Sequence, residues 1–152
     1  MDISTGSILI SSSTMDDANF QQAVVLITEY NEKGAMGFVV NNLYPRPLNE
    51  LVEFRQSPSF PLYDGGPVDH DHLYFIHRKP DLIAGGDPIQ NGLYTGGNFQ
   101  QAVTLINAGI LTNRDLKIFV GYCGWDFGEL EAEIGDGYWE QMNHTDVFTI
   151  QK

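Results

Sequence analysis

Short apolar runs separated by glycine, proline and polar residues are the dominant pattern of this chain. Residues 23–27 read Ala-Val-Val-Leu-Ile, an unbroken run rich in β-branched side chains, which predicts a strand buried on both faces. A turn at residues 30–34 and a second apolar run from Met36 to Asn41 predict a hairpin with that strand. By the same pattern, further strands are predicted at residues 7–11, 60–64, 73–77, 93–95, 116–122 and 138–142.

Helical spacing is found at few places. Residues 126–134 put three apolar side chains on one face, and Asp126 with Glu129 has the spacing of a capping box. Residues 48–54 predict a short helix that begins near Pro47.

The hexapeptide Asn-Phe-Gln-Gln-Ala-Val occurs twice, at residues 19–24 and 98–103. In the second copy Asn98 offers an N-cap and the apolar positions follow helical spacing, so a helix is predicted at residues 98–108. The first copy leads into the predicted hairpin, so a strand is predicted at residues 22–28. Different structures for the two copies argue against an internal duplication.

The length and the net charge of the chain disfavour some classes of protein. The 152 residues predict one domain, residues 1–152. Twenty acidic and eight basic residues give a net charge of −12, which disfavours direct binding to nucleic acid and to anionic membranes. There is no apolar run of 18 residues, and the N-terminus has neither the basic start nor the apolar run of a signal peptide, so we expect a cytoplasmic protein.

Few residue groups are candidates for chemistry. Asp69-His70-Asp71-His72 carries metal-ligating side chains, but neighbours in extended chain point in opposite directions, so an exposed turn without metal is predicted. His77 is interpreted as a hydrogen-bonded histidine at a strand end, with general base as the alternative. Cys123 is expected to be a small buried or half-buried residue, because no lysine or arginine lies between Ile118 and Gln151 to stabilise a thiolate.

Residues 118–151 carry seven acidic side chains and no lysine or arginine, which is typical of a solvated face. The alternatives are cation binding or a basic partner. The glycine patterns fit neither a phosphate-binding loop nor the elbow that carries a nucleophilic serine, so nucleotide-hydrolase and serine-hydrolase functions have no support.

Several motifs, taken in order along the chain, resemble those of the YqgE/AlgH family of bacterial proteins. They are Asp17-Ala-Asn-Phe20, Gly34-Ala-Met-Gly-Phe-Val-Val-Asn41, Leu62-Tyr-Asp-Gly-Gly-Pro-Val68, His77-Arg78, Gly121-Tyr-Cys-Gly-Trp125 and Gly128-Glu-Leu-Glu-Ala-Glu133. The resemblance implies an α+β fold with a curved, mostly antiparallel sheet and a few peripheral helices. It implies no established activity, no cofactor and no catalytic residues, although some members carry the label of transcriptional regulator.

This chain departs from the family pattern in three ways that bear on function. Members tend to have Asn-Arg-Pro where this chain has Asn41-Asn42-Leu43, and Gly-Gln-Leu-Glu where it has Gly128-Glu129-Leu130-Glu131. They also tend to continue through another helical stretch after the position of Trp139, so the C-terminus is expected to be shortened.

These observations favour a non-enzymatic cytoplasmic binding or regulatory module. A metal-assisted hydrolase that uses Asp69, His70, His72 and the acids near Glu131 is one alternative, and a transcriptional regulator is another. The partner is expected to be an unknown protein or a small polar ligand, and the oligomeric state stays open.

If there is a binding site, we expect three distant segments to meet in one concave surface, because glycine permits close backbone approach. These segments are Asn41, residues 65–67 and residues 121–131. Trp125 and Asn41 are expected to line that surface. The alternative is that the glycines and Trp125 serve turns and core packing. The candidate residues are Asn41, Gly65, Gly66, Pro67, Gly124, Trp125, Glu129 and Glu131.

Overall fold

The structure is a computed structural model that describes residues 3–142 and 145–150, so the ends of the predicted 1–152 domain lie outside the described residues. Within these ranges the chain forms nine strands and two α-helices. The strands are β1 (Ile8–Ser11), β2 (Val24–Asn31), β3 (Gly34–Val39), β4 (Leu62–Asp64), β5 (Val68–His77), β6 (Asp87–Pro88), β7 (Tyr94–Thr95), β8 (Leu116–Asp126) and β9 (Trp139–Met142). The helices are α1 (Phe99–Asn107) and α2 (Glu129–Gly135).

Eight strands form one sheet in the order β6-β7-β5-β8-β3-β2-β1-β9, and all of these neighbours are antiparallel where their register is defined. The ninth strand, β4, pairs with β8 in parallel. The α+β class with a mostly antiparallel sheet is therefore confirmed. The described helices are seven and nine residues long, and neither has the length and apolar character that a membrane span requires.

The strand predicted to be buried on both faces is confirmed in β2. Val24 and Leu26 pack into one core cluster, whereas Val25 and Ile27 pack into a second cluster on the opposite face. Successive side chains of a strand point to opposite faces, so an unbroken apolar run needs a core on each side. Each fully buried aliphatic side chain contributes roughly 1.5–3 kcal/mol, so this strand anchors both cores.

The central strand β8 changes its side-chain alternation at Gly121. Phe119 and Tyr122, three residues apart, pack on the same core cluster, whereas strict alternation separates same-face residues by two. Gly121 has φ +75°, a conformation that glycine adopts without steric cost. One extra residue at this point acts as a β-bulge and redirects the rest of the strand.

The two copies of the hexapeptide adopt different structures, as predicted. The second copy lies in α1, where Asn98 Oδ1 accepts a hydrogen bond from Gln101 N at 3.0 Å. The first copy begins in a 3₁₀ turn, Ala18–Phe20, and then enters β2. The strand starts two residues later than predicted, because Gln22 has φ +53° and is not extended.

Two helix predictions are wrong in detail. Residues 48–54 form two separate 3₁₀ turns, Leu48–Glu50 and Val52–Phe54, since Leu51 between them is extended. Residues 126–128 do not begin α2: β8 runs on to Asp126, and Gly128 in a left-handed conformation precedes the helix. Half of the predicted capping box forms nevertheless, because Glu129 Oε1 accepts from Asp126 N at 2.6 Å.

A buried lysine ties the C-terminal segment, residues 145–150, to the sheet. The Lys117 side chain donates from Nζ to the carbonyl oxygens of Val40 (2.7 Å), Val147 (2.8 Å) and Ile150 (3.3 Å). Its ammonium also lies 4.1 Å from the centre of the Tyr63 ring. Lys117 is only 2% exposed, so these contacts take the place of water around the charge.

This burial has a consequence for stability. Desolvation lowers the pKa of the Lys117 ammonium to about 8, against 10.5 for an ordinary lysine, although Asp146 offsets part of the effect. Between these two values the unfolded chain binds more protons at this position than the folded chain. The contribution of Lys117 to the free energy of unfolding therefore rises with pH from about 8 to 10.5.

We predict that Lys117→Met removes this rise. Urea unfolding between pH 7.5 and 9.5 should show the wild-type free energy of unfolding gaining on the variant by at most about 1.4 kcal/mol per pH unit. Burial raises the pKa of the Cys123 thiol, which acts in the opposite direction above pH 9. Because Cys123 is present in both proteins, its effect cancels in the comparison.

Lys33→Met, at an exposed lysine, is the matched control and should run parallel to the wild type. Equal pH dependence in the wild type and in Lys117→Met would show that the Lys117 ammonium is not desolvated in the folded protein.

Candidate functional site

Of the three segments predicted to meet, residues 65–67 lie against the end of β3 beside Asn41 and against the start of residues 121–131, through backbone contacts. Val39 N, at the end of β3, donates to Gly65 O at 2.9 Å, and Gly65 N donates to Val120 O in β8 at 2.9 Å. Asp64 N donates to Asn42 O at 2.7 Å. The segment after β4 is therefore fixed between the ends of β3 and the centre of β8.

The absence of side chains at Gly65 and Gly66 makes this arrangement possible. A Cβ on Gly65 would lie 2.4 Å from Gly121 O, and one on Gly66 would lie 2.4 Å from the carbonyl of Tyr122. Both contacts are with backbone, which cannot rotate away. Any other residue at these positions would push the segment off β8.

The segment Asp69–His72 lies in β5 and not in the predicted turn. Val68 pairs with Tyr122 and Leu73 pairs with Val120, so five residues of β5 span only two of β8. Residues 69–72 thus lie opposite the single residue Gly121, and the three surplus residues form a bulge that begins at Asp69, whose φ is +56°. These residues are exposed, as predicted, because the bulge lifts them off the sheet.

The bulge and the glycine segment enclose a small cavity, which we call the Asp64 notch. Its volume is about 150 Å³. The residues that line it come from four parts of the chain: Ala18, Asn19, Val39, Asn42, Asp64, Gly66, Pro67 and His70. None of these is a lysine or arginine, and the side-chain groups of the notch are two amides, one carboxylate and one imidazole.

His70 is held at the rim by two acceptors. Its Nε2 lies 3.1 Å from Asp64 Oδ1 and 2.5 Å from Gly66 O. Since a carboxylate and a carbonyl oxygen only accept, Nε2 carries a proton and donates. In the neutral ring Nδ1 is then the nitrogen that accepts hydrogen bonds. Asp64 Oδ1 also accepts from Gly66 N at 3.2 Å, so the carboxylate is fixed from two sides.

A second polar group lies on the outer side of the bulge. Asp69 accepts hydrogen bonds from His72 Nδ1 at 2.7 Å and from the Tyr74 hydroxyl at 2.5 Å. The bonds from Tyr74 and then His72 lower the pKa of Asp69, and the same carboxylate raises the pKa of Tyr74 to about 12. It also raises the pKa of His72.

His70 and His72 therefore bind different carboxylates and do not converge. Glu131 accepts from the Tyr30 hydroxyl at a different place. Within residues 3–142 and 145–150, no three His, Cys, Asp or Glu side chains are arranged to hold a metal ion. The side chains predicted to bind a metal in a metal-assisted hydrolase therefore do not form one ligand set in this structure.

The prediction that Asn41 and Trp125 line the concave surface is wrong. Asn41 is 5% exposed, and its amide spans two backbone groups: Oδ1 accepts from Val24 N at 3.0 Å and Nδ2 donates to Gln22 O at 2.9 Å. The neighbouring residue Asn42, which the sequence analysis did not select, lines the notch instead. Asn41 is a structural link between β3 and the start of β2.

Trp125 belongs to an aromatic cluster under α2. It is 6% exposed, stacks on Phe20 at 6.1 Å between ring centres and meets Trp139 edge-on. The indole nitrogens of both tryptophans donate to Glu133 Oε1, at 3.1 and 2.9 Å. These contacts fit the packing role, which was the alternative, and Trp125 also borders a separate cavity beside the β2–β3 turn.

The remaining candidates divide between the two regions. Gly66 and Pro67 line the notch, and Gly65 positions it. Gly124, Glu129 and Glu131 lie in or beside α2 and the end of β8, and none of them lines the notch. Whether any of these residues binds a ligand stays a prediction.

Cys123 and His77 are both buried. Cys123 is 1% exposed, as expected, and its thiol lies 3.2 Å from Gly37 O. His77 Nδ1 accepts from Lys79 N at 3.1 Å, but Nε2 has no hydrogen-bond partner among the described residues, so the interpretation of a satisfied histidine is only half right. Desolvation lowers the pKa of His77, which keeps the ring neutral between Phe75 and Tyr94.

The residues that sequence reasoning missed are Asp64, His70 in its pairing with Asp64, and Asn42. The available signal was the motif Leu62–Val68, in which a carboxylate directly precedes two glycines. Glycines that lie against a neighbouring strand fix the position of the polar side chain that precedes them. Here that side chain is at a strand end, where ligands often bind.

The sequence of this chain is similar to those of known bacterial proteins. A family model described as AlgH-like matches residues 8–152. A UPF0301 protein of Chlorobium luteolum is 36% identical over 143 residues, covering 94% of this chain and 76% of the relative. A UPF0301 protein of Bacteroides thetaiotaomicron is 37% identical over 137 residues, covering 90% and 69%.

Solved structures agree with the fold. The solution structure of the AlgH protein from Pseudomonas aeruginosa has a TM-score of 0.72 and 30% identity, covering 99% of this chain and 86% of that one. The crystal structure of protein DIP2367 from Corynebacterium diphtheriae has a TM-score of 0.74 at 20% identity, covering 97% and 85%, and so shares the fold. With its family-model match over nearly the whole chain and these relatives, the protein belongs to the AlgH-like family.

Proposed function

We propose that this protein is a non-enzymatic cytoplasmic binding or regulatory module and that the Asp64 notch receives an ammonium group. The group is carried by a small amine or by a lysine side chain of a partner protein. The observation that carries this proposal is the composition of the notch, in which a carboxylate and a backbone carbonyl lie together, His70 is the one donor that a ligand would have to displace, and no lysine or arginine is in the lining.

The acceptors of the notch match what an ammonium needs. An ammonium has three donors and no acceptor. The Asp64 carboxylate is about one-third exposed, so its second oxygen remains within reach of a ligand. The amide oxygens of Asn19 and Asn42 are further acceptors in the lining. A hydrogen bond to a charged group contributes roughly 1.5–3 kcal/mol, so two such contacts correspond to dissociation constants from several millimolar down to about 40 µM.

The net charge of the protein and the size of the notch also favour a small cationic group as the ligand. The net charge of −12 draws cations toward the surface. The arginine that the family pattern has at the position of Asn42 is missing, so a feature that suits an anion is removed. A volume of about 150 Å³ corresponds to about five water molecules at roughly 30 Å³ each, which accommodates a group of four or five heavy atoms.

We predict that ethanolamine binds the notch and that ethylene glycol does not. The two probes have the same size and differ in whether one end is an ammonium or a hydroxyl. Nuclear magnetic resonance titration should move the backbone amide signals of Asn19, Asn42, Gly66 and His70 with ethanolamine alone. Asp64→Asn keeps an oxygen for Gly66 N but loses the charge, and it should weaken binding at least about tenfold.

Asp81→Asn, at an exposed carboxylate away from the notch lining, removes the same charge and should leave the titration unchanged. Equal shifts with ethylene glycol, or an undiminished response in Asp64→Asn, would contradict the ammonium site. A peptide with one central lysine is titrated in parallel to separate the two sources of the ammonium group. Tighter binding of the peptide than of ethanolamine indicates a lysine of a partner protein, and the reverse indicates a small amine.

We also predict no binding of duplex DNA at physiological salt, whatever regulatory role the protein has. Binding without sequence preference requires cations that displace phosphate counterions. The chain has eight basic residues, and Lys117 among them is buried against carbonyl oxygens. An electrophoretic mobility assay at micromolar protein should show free DNA. A shift that weakens as salt rises would favour the direct transcriptional regulator instead.

A further inference from the structure

The segment from Pro88 to Asn113 carries no charged side chain. It spans 26 residues, in a chain where 18% of residues are charged, so about five charges would be expected. The segment includes all of α1, and its polar groups are amides and hydroxyls. Depletion of charge is the compositional mark of surfaces that become buried in protein interfaces.

The exposed side of α1 is a ridge between two grooves. One groove has a volume of about 510 Å³ and the other about 520 Å³. Gln100 and Thr104 line both grooves, so they form the crest that separates them. Leu82 and Leu105 contribute apolar surface on one side, and Phe99 on the other. A single charged residue, Glu53, occurs in the two linings together.

We propose that this surface is the interface of a homodimer, in which the α1 ridge of each copy packs into a groove beside α1 of the other. A ridge flanked by grooves is complementary to itself after a two-fold rotation. Such an isologous contact places Gln100 of one copy in the groove of the second, and the reverse. Side chains of packed helices interlock in this ridge-into-groove manner.

Electrostatics select a second copy as the occupant. Two copies of a chain with net charge −12 repel each other over most orientations. The uncharged α1 surface is the approach at which that repulsion is smallest. A cationic partner would gain little here, because Glu53 is the single carboxylate in the two linings. Dimer formation also removes exposed apolar side chains from contact with water. Ile110 (56% exposed) and Leu82 (39% exposed) are among them.

The small extent of the surface favours a weak, reversible contact. Nine helical residues extend about 14 Å, so the contact is at the small end of interfaces, which typically bury about 800 Å² per partner. We therefore expect a dissociation constant between about 1 and 100 µM. Because repulsion between the two acidic copies opposes the contact, salt should tighten the dimer by screening it.

Sedimentation equilibrium at 5–200 µM protein, in 0.05 and 0.5 M NaCl, tests the proposal. The wild type should form dimers that are tighter at high salt. Gln100→Glu changes one amide to a carboxylate of nearly the same shape, and the two-fold symmetry brings in two such charges. It should weaken the dimer at least tenfold. Ser13→Glu adds the same charge at an exposed position outside both grooves and should not.

Cross-linking provides a second readout. Cys123 is buried, so a cysteine introduced at Thr104 is the reactive thiol of that variant. A short bis-maleimide should join two copies of Thr104→Cys and leave Ser13→Cys monomeric. The proposal is overturned if the wild type is monomeric throughout. It is equally overturned if a dimer forms that neither responds to Gln100→Glu nor cross-links through position 104.

Discussion

The contact between the backbone of residues 65–66 and the middle of β8 is the constraint on which the notch depends. With no side chain between them, the two backbones lie so close that a single added carbon would meet Gly121 O or the Tyr122 carbonyl at 2.4 Å. This approach holds Asp64 at the end of β4 and presents the Gly66 carbonyl to His70. The bulge of β5 follows, because β5 must pass over β8 where Gly121 interrupts the alternation.

Charged side chains are distributed unevenly over the surface of the protein. The acids beside α2 and around the β5 bulge create a field that favours cations, and the Asp64 notch is a small acceptor-rich cavity within it. The surface of α1 has no charge of its own. A ligand site and a self-association surface on separate elements can operate in the same protein, since neither uses the other's residues.

Local patterns predicted the elements whose structure is decided locally. The β2–β3 hairpin and α1 were found because an unbroken apolar run and a capped helical period each have one favourable structure. The site was harder to predict from the sequence, because it depends on which of two adjacent residues has its side chain facing the cavity. Asn41 was selected and Asn42 lines the notch, and a shift of one residue reverses the facing of every side chain in extended chain. The bulge at Gly121 was likewise hidden, since an isolated glycine in a strand pattern does not by itself fix a bulge.

The most direct test of the account is the pair Gly65→Ala and Gly135→Ala, compared by urea unfolding and by the amide spectrum of the notch. Neither glycine needs a left-handed backbone, and they differ in surroundings: a Cβ at Gly65 meets Gly121 O at 2.4 Å, whereas one at Gly135 meets nothing within 4 Å. Gly65→Ala should lose about 2 kcal/mol or more of unfolding free energy and displace the signals of Gly66 and His70. Gly135→Ala should gain up to about 1 kcal/mol, because alanine favours the helix. A Gly65→Ala protein as stable as the wild type, with the notch signals unmoved, would contradict the claim that this close approach builds the site.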